Sequence, residues 1–76
     1  MNYWTVPFEA HGKKYEIRIV FDGLTFRLRV FCDGKPSNRY EYSVTLETAM
    51  EMETYTGVKA VEELIKTATD HVQRGV

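Results

Sequence analysis

Arg18, Arg27 and Arg29 are the residues of this 76-residue chain whose type and spacing come nearest to a chemistry. They sit at alternate positions of two neighbouring runs, so in a sheet all three share one face. A set of guanidinium groups there can take up carboxylate or phosphate in bidentate fashion. Thr5, Thr25, Ser43 and Thr45 add hydroxyls to that face, and Tyr3 and Phe31 add rings on which a base can stack. Nucleic acid or a small anion is therefore one class of ligand. Glu9, Glu16, Glu41 and Glu47 share the face, however, and nearly cancel its charge, unlike the basic stripe of a nucleic-acid binder. The opposed expectation is a solvated outer face laced with ion pairs.

Nothing else in the sequence assembles a reaction. Cys32 continues an apolar alternation and reads as a small buried hydrophobe, whereas a reactive thiol sits exposed beside a base or a positive charge. His11 falls in a turn, and His71 in the last turn of a helix, where an imidazolium is favoured by the helix end. These three positions lack the spacing of metal ligands. Glu51 with Glu53, and Glu62 with Glu63, read as surface charge rather than as a tuned acid–base pair. Glycine-rich phosphate loops and nucleophile elbows are missing. The expectation is no catalytic residue, no metal, no cofactor and no enzymatic activity.

Composition bounds the remaining classes. A chain 43% hydrophobic and 28% charged is ordinary for a globular domain, and a net charge of -1 exerts no global pull on nucleic acid or acidic membranes. Residues 1–40 carry seven Lys or Arg against four Asp or Glu, and residues 41–76 carry three against seven. Such asymmetry can favour head-to-tail association, though in a packed domain it more often disperses over the surface. A lone cysteine forms no internal disulfide and fits a reducing cytoplasm. Met1 to Ala10 lacks the order of a signal peptide, and no apolar run nears the ~20 residues that span a bilayer, so no membrane is expected. One domain, residues 1–76, is expected, near the lower size at which a core folds unaided.

The arginines owe their common face to the stretch Tyr15 to Cys32. Tyr15, Ile17, Ile19 and Phe21, then Leu24, Phe26, Leu28, Val30 and Cys32, alternate with polar partners, the pattern of two strands with one buried face. Asp22-Gly23 between them reads as a two-residue type I′ turn. That turn predicts the pairs Phe21–Leu24, Ile19–Phe26, Ile17–Leu28 and Tyr15–Val30, and sets Arg18 against Arg27 and Glu16 against Arg29. Trp4, Val6, Phe8 and Ala10 form an earlier strand, whose His11-Gly12 turn predicts Ala10–Lys13, Glu9–Lys14, Phe8–Tyr15, Val6–Ile17 and Trp4–Ile19. Pro7 confines that strand to a sheet edge. After the turn formers of Asp33 to Asn38, Tyr40, Tyr42, Val44 and Leu46 make the apolar side of a fourth strand. From Thr48 to Thr56 both continued alternation and a Thr48–Glu51 capping box can be read. Val58, Val61, Leu64, Ile65, Ala68 and Val72 then recur at helical steps, from an N-cap at Thr56 to Gly75, with Glu62–Lys66 and Asp70–Arg74 as supporting pairs.

The resulting fold class is α+β, a four-stranded antiparallel meander in the order 1-2-3-4 with one C-terminal helix packed on one face. Four strands span ~15 to 19 Å, whereas one helix is ~10 Å across and covers about half of them. Sixteen side chains on the apolar face therefore exceed what six apolar helix residues can bury. Met50, Met52 and Tyr55 folding back as a lid, a second chain, or a ligand between helix and sheet can cover the rest. The leading expectation is a non-enzymatic interaction module, a homodimer or a binder of a protein partner. It would act through uncovered apolar sheet or an edge strand, with Met50, Met52 and Tyr55 at the interface. The alternatives are nucleic acid or a small anion on Arg18, Arg27 and Arg29, and a small apolar ligand lined by Trp4, Phe8, Tyr15 and Tyr40.

Overall fold

A computed structural model describes residues 2–75. Strands β1 (Asn2–Ala10), β2 (Lys13–Phe21) and β3 (Thr25–Cys32) form an antiparallel meander. The far edge of β3 is shared by β4 (Lys35–Pro36) and β5 (Tyr42–Thr45), and two helices follow, α1 (Leu46–Thr56) and α2 (Ala60–Gln73). The architecture is the α+β meander with a helix on its apolar face. The short β4 and the helix α1 are additions to the expected outline.

Turn chemistry decides each register. His11 (φ 53°) and Gly12 (φ 70°) both take the left-handed backbone that a type I′ turn requires, and β1 pairs with β2 in the expected register, from Ala10–Lys13 to Trp4–Ile19. The second hairpin differs by two residues. Phe21 pairs with Phe26, Ile19 with Leu28 and Ile17 with Val30, so four residues, Asp22 to Thr25, separate the last paired residues instead of Asp22-Gly23 alone, and Thr25 already belongs to β3. Gly23 has positive φ but Asp22 does not. Asp22 instead uses its carboxylate, with Oδ1 accepting from Leu24 N (2.9 Å) and Thr25 N (2.8 Å) and Oδ2 from Arg27 Nη1 (2.9 Å). A shift of two keeps every facing, so the apolar side of β3 stays correct, while Leu24 leaves the sheet and is 76% exposed. The other Asp-Gly pair, Asp33 (φ 54°) and Gly34 (φ 78°), makes the two-residue turn and joins Cys32 to Lys35.

The expected fourth strand is broken. Ser37 N donates to Val30 O, and pairing resumes at Leu28–Tyr42. Five residues on this side (42 − 37) span two on β3 (30 − 28), so three bulge outward and Tyr40 lies outside the strand. The undecided segment 48–56 is helix. Its N-cap is Thr45, whose side chain accepts from Thr48 N, and Gly57 (φ 72°) closes it with its N–H on Glu53 O. Leu46 is thereby helical rather than a strand residue. Thr56 ends α1 instead of capping α2, whose N-cap is Lys59 without a side-chain bond. Lys66 pairs with Glu63 (3.4 Å) rather than Glu62, and Arg74 pairs with Asp70 (3.0 Å) as expected.

One core holds these elements. Ile17, Ile19, Leu28 and Val30 are fully buried at the centre of the sheet, with Tyr42, Ala68 and Val72 against them. The His11 ring anchors the far end of α2 by donating from Nε2 to Val72 O (3.0 Å). No residue of α1 is buried. The two leucines of the second hairpin test its register: Leu28→Ala should lower the unfolding free energy by ~2–5 kcal/mol, whereas Leu24→Ala should change it by less than ~0.5 kcal/mol. Urea denaturation of both variants measures this; equal losses would restore the two-residue turn.

Candidate functional site

The outer face of the sheet places side chains in rows across the strands. Thr5, Arg18 and Arg29 lie abreast, with Tyr3, Val20, Arg27 and Ser43 in one flanking row and Pro7, Glu16, Phe31 and Pro36 in the other. Arg18 therefore opposes Arg29, not Arg27, and Glu16 opposes Phe31, both consequences of the two-residue shift in register. The fold brings all three arginines to one cleft of about 270 Å³, lined also by Tyr3, Val20, Phe31 and Glu41.

Their charges are largely engaged within the chain. Arg18 Nε donates to Glu16 Oε1 at 2.7 Å, and its guanidinium carbon lies 3.9 Å from the centre of the Phe31 ring. Arg27 is held by Asp22 and has Glu41 Oε1 3.9 Å from its Nε. Among the described residues, Arg29 has no carboxylate partner. Three arginines thus face three carboxylates, and one guanidinium remains for an external anion. Hydrogen bonds from the Leu24 and Thr25 amides, then Arg27, hold the Asp22 carboxyl below its ordinary 3.8 against a smaller opposing effect of desolvation.

A second candidate surface lies along α1. Leu24, Thr25, Thr45, Leu46, Glu47, Met50 and Glu51 border a groove of about 710 Å³. A neighbouring one of about 350 Å³ shares Leu46 and Met50 and reaches Phe26, Ala49, Ala60 and Val61. Met50 is 60% exposed and Tyr55 83%, and Met52 is half-buried, so these three do not close over the sheet as a lid. Glu47 and Glu51 rim the first groove and Glu53 and Glu62 the second, against a single Lys59. Leu24 and Leu46 enter this site only because a loop and a helix start there. The Thr45–Thr48 spacing was the signal in the sequence for the latter.

The remaining aromatic residues form separate clusters. Trp4 meets Phe26 edge-on and Phe26 stacks on Phe21, while Phe8 stacks on Tyr15. Tyr40 and Tyr42 pack with His71. Trp4, Phe8, Tyr15 and Tyr40 are thus divided among three groups rather than facing one space. The Tyr42 hydroxyl lies 2.8 Å from His71 Nδ1 and accepts from Asn38 Nδ2 at 3.4 Å; burial raises this phenol above its ordinary value, partly offset by the Asn38 bond. Cys32 is half-buried with its thiol 3.5 Å from Lys14 O. Among the described residues no group of three His, Cys, Asp or Glu is placed to hold a metal, and no helix is long and apolar enough to cross a membrane.

Comparison with family models, curated proteins and solved structures yields no match, so the geometry of this chain alone bears on its role.

The Asp22 turn has a pH signature. A carboxyl held below its ordinary value stabilises the fold above about pH 4 and loses that contribution as pH falls through its folded-state pKa. The wild type should therefore lose more stability between pH 5 and pH 2 than Asp22→Asn does, read from urea midpoints across that range. Parallel pH profiles would remove the carboxylate from control of the turn.

Proposed function

We propose that this chain is a non-enzymatic interaction module whose partner is a polypeptide, in the first place a second copy of itself. The carrying observation is surface. The chain exposes 5273 Å², whereas a compact monomer of 8.9 kDa exposes about 4,800 Å². Its radius of gyration, 12.7 Å, exceeds the ~11.4 Å of a compact chain this long. The excess includes large apolar side chains at Trp4 (38% exposed), Leu24, Met50 and Tyr55. Exposed apolar ground of this kind favours association, because covering it removes apolar area from water.

A second reading rests on Arg29. Among the described residues its guanidinium pairs with no carboxylate, and it shares a cleft with Tyr3 and Phe31, which suits one anionic group carried on a planar ring.

Light scattering over a concentration series tests the first reading. Mass should rise towards twice 8.9 kDa by high micromolar concentration and fall on dilution; a monomer throughout rejects self-association. For the second, a short single-stranded oligonucleotide at low salt should shift the Arg29 side-chain resonances and leave Arg29→Gln unresponsive, since phosphate contacts are strongest there. An unmoved Arg29 rejects it.

A further inference from the structure

The open edge of β1 carries a pairing pattern of its own, which rests on the module reading above and names the surface it uses. Positive φ at both His11 and Gly12 makes Ala10–Lys13 a hydrogen-bonded pair. Such pairs recur at every second residue, so Phe8, Val6 and Trp4 also bond to β2. The second hairpin agrees: Asp22 N donates to Thr25 O, so the even residues of β2 bond towards β3 and the odd ones towards β1. The backbone groups of Tyr3, Thr5, Pro7 and Glu9 therefore point outward. Pro7, which has no N–H to offer, falls in this outward set.

This edge is nine residues long, and Pro7 and Glu9 are its only guards against pairing. Trp4, Val6 and Phe8 lie along its apolar face, and Trp4 is 38% exposed. We propose that two copies join here as an antiparallel pair of β1 strands with the two-fold axis at Val6. Val6 then faces the partner's Val6, Trp4 faces the partner's Phe8, Tyr3 faces the partner's Glu9 and Thr5 faces the partner's Pro7.

Two properties select this register. It opposes the large apolar side chains of the inner face, Trp4, Val6 and Phe8, only with one another and sets no glutamate against a glutamate. Centring on Thr5 would put Asn2 against Phe8, and centring on Pro7 would put Trp4 against Ala10. It also makes about six ladder hydrogen bonds, because only the Thr5–Pro7 pairs lack a donor, whereas either neighbouring register makes about four within residues 2–10. The contact uses the same strand in both copies, so assembly closes at two. The arginine cleft and the α1 grooves are not required for it.

Amide exchange on the wild-type chain, at a concentration where light scattering gives its mass, tests the pairing. In the dimer the outward amides of Tyr3, Thr5 and Glu9 should be protected by at least tenfold over the diluted monomer, with no change at Gly23 or Leu24. Cysteine cross-linking adds the register. In a Cys32→Ser background, Val6→Cys should oxidise to a covalent dimer under mild oxidant, since its two copies face one another, whereas Glu9→Cys should not. A dimer whose Tyr3, Thr5 and Glu9 amides stay fast overturns the edge pairing and leaves the interaction module standing on another surface. A cross-link at Glu9 with none at Val6 overturns the register. A monomer at high micromolar concentration overturns both the pairing and self-association.

Discussion

Four aliphatic side chains, Ile17, Ile19, Leu28 and Val30, form the contact on which the rest of the structure depends. They lie on neighbouring strands, paired Ile17 to Val30 and Ile19 to Leu28, and are entirely out of water. Ala68 at the middle of α2 lets that helix approach them closely, and Val72 one turn later continues the seam. Burial of four such side chains contributes several kcal/mol, a large part of what stabilises a domain this small. The outer elements are held by what remains: His11 on the last turn of α2, Tyr42 against His71, and the caps of α1.

The same economy leaves the edges of the sheet thinly covered. A single helix over the central strands reaches β1 only in part, and α1 extends from the end of β5 without burying a residue. Trp4, Phe21 and Phe26 shield one another by ring contacts in place of a helical cover. Area that a lid of Met50, Met52 and Tyr55 could have covered is therefore surface, and the two uncovered regions, the β1 edge and the acid-rimmed grooves beside α1, differ in what they offer. The edge presents backbone donors and acceptors with apolar side chains, which suits a strand. The grooves present apolar floors under glutamates, and facing two copies of them would set like charges together.

On the outer face, electrostatics follows register. Register opposes Arg18 to Arg29, two like charges on facing positions, and Glu16 with the Phe31 ring relieves the repulsion by drawing the Arg18 guanidinium to themselves. Asp22 both folds the hairpin loop and engages Arg27, so one carboxylate links the turn to the face. Convergence of three arginines in one cleft is thus compatible with a nearly neutral site, and Arg29 alone differs from its neighbours.

The sequence by itself determined the first three strands, their faces and the first register, because alternation and a two-residue turn act through neighbouring residues and agree with one another. It likewise marked α2 by helical spacing and the three arginines as sharing a face. The tertiary structure decided what depends on competition between distant partners. Two Asp-Gly pairs look alike in the chain, yet Asp33 adopts positive φ and makes a tight turn, while Asp22 spends its carboxylate on two amides and Arg27 and opens the loop by two residues. That shift set which arginines oppose and sent Leu24 to the surface. Thr45 ending a strand and capping a helix, and the break between β4 and β5, likewise came from what β3 could pair at each end. Local periodicity carries no information about such choices, since both outcomes preserve it; only the energy of the assembled contacts separates them.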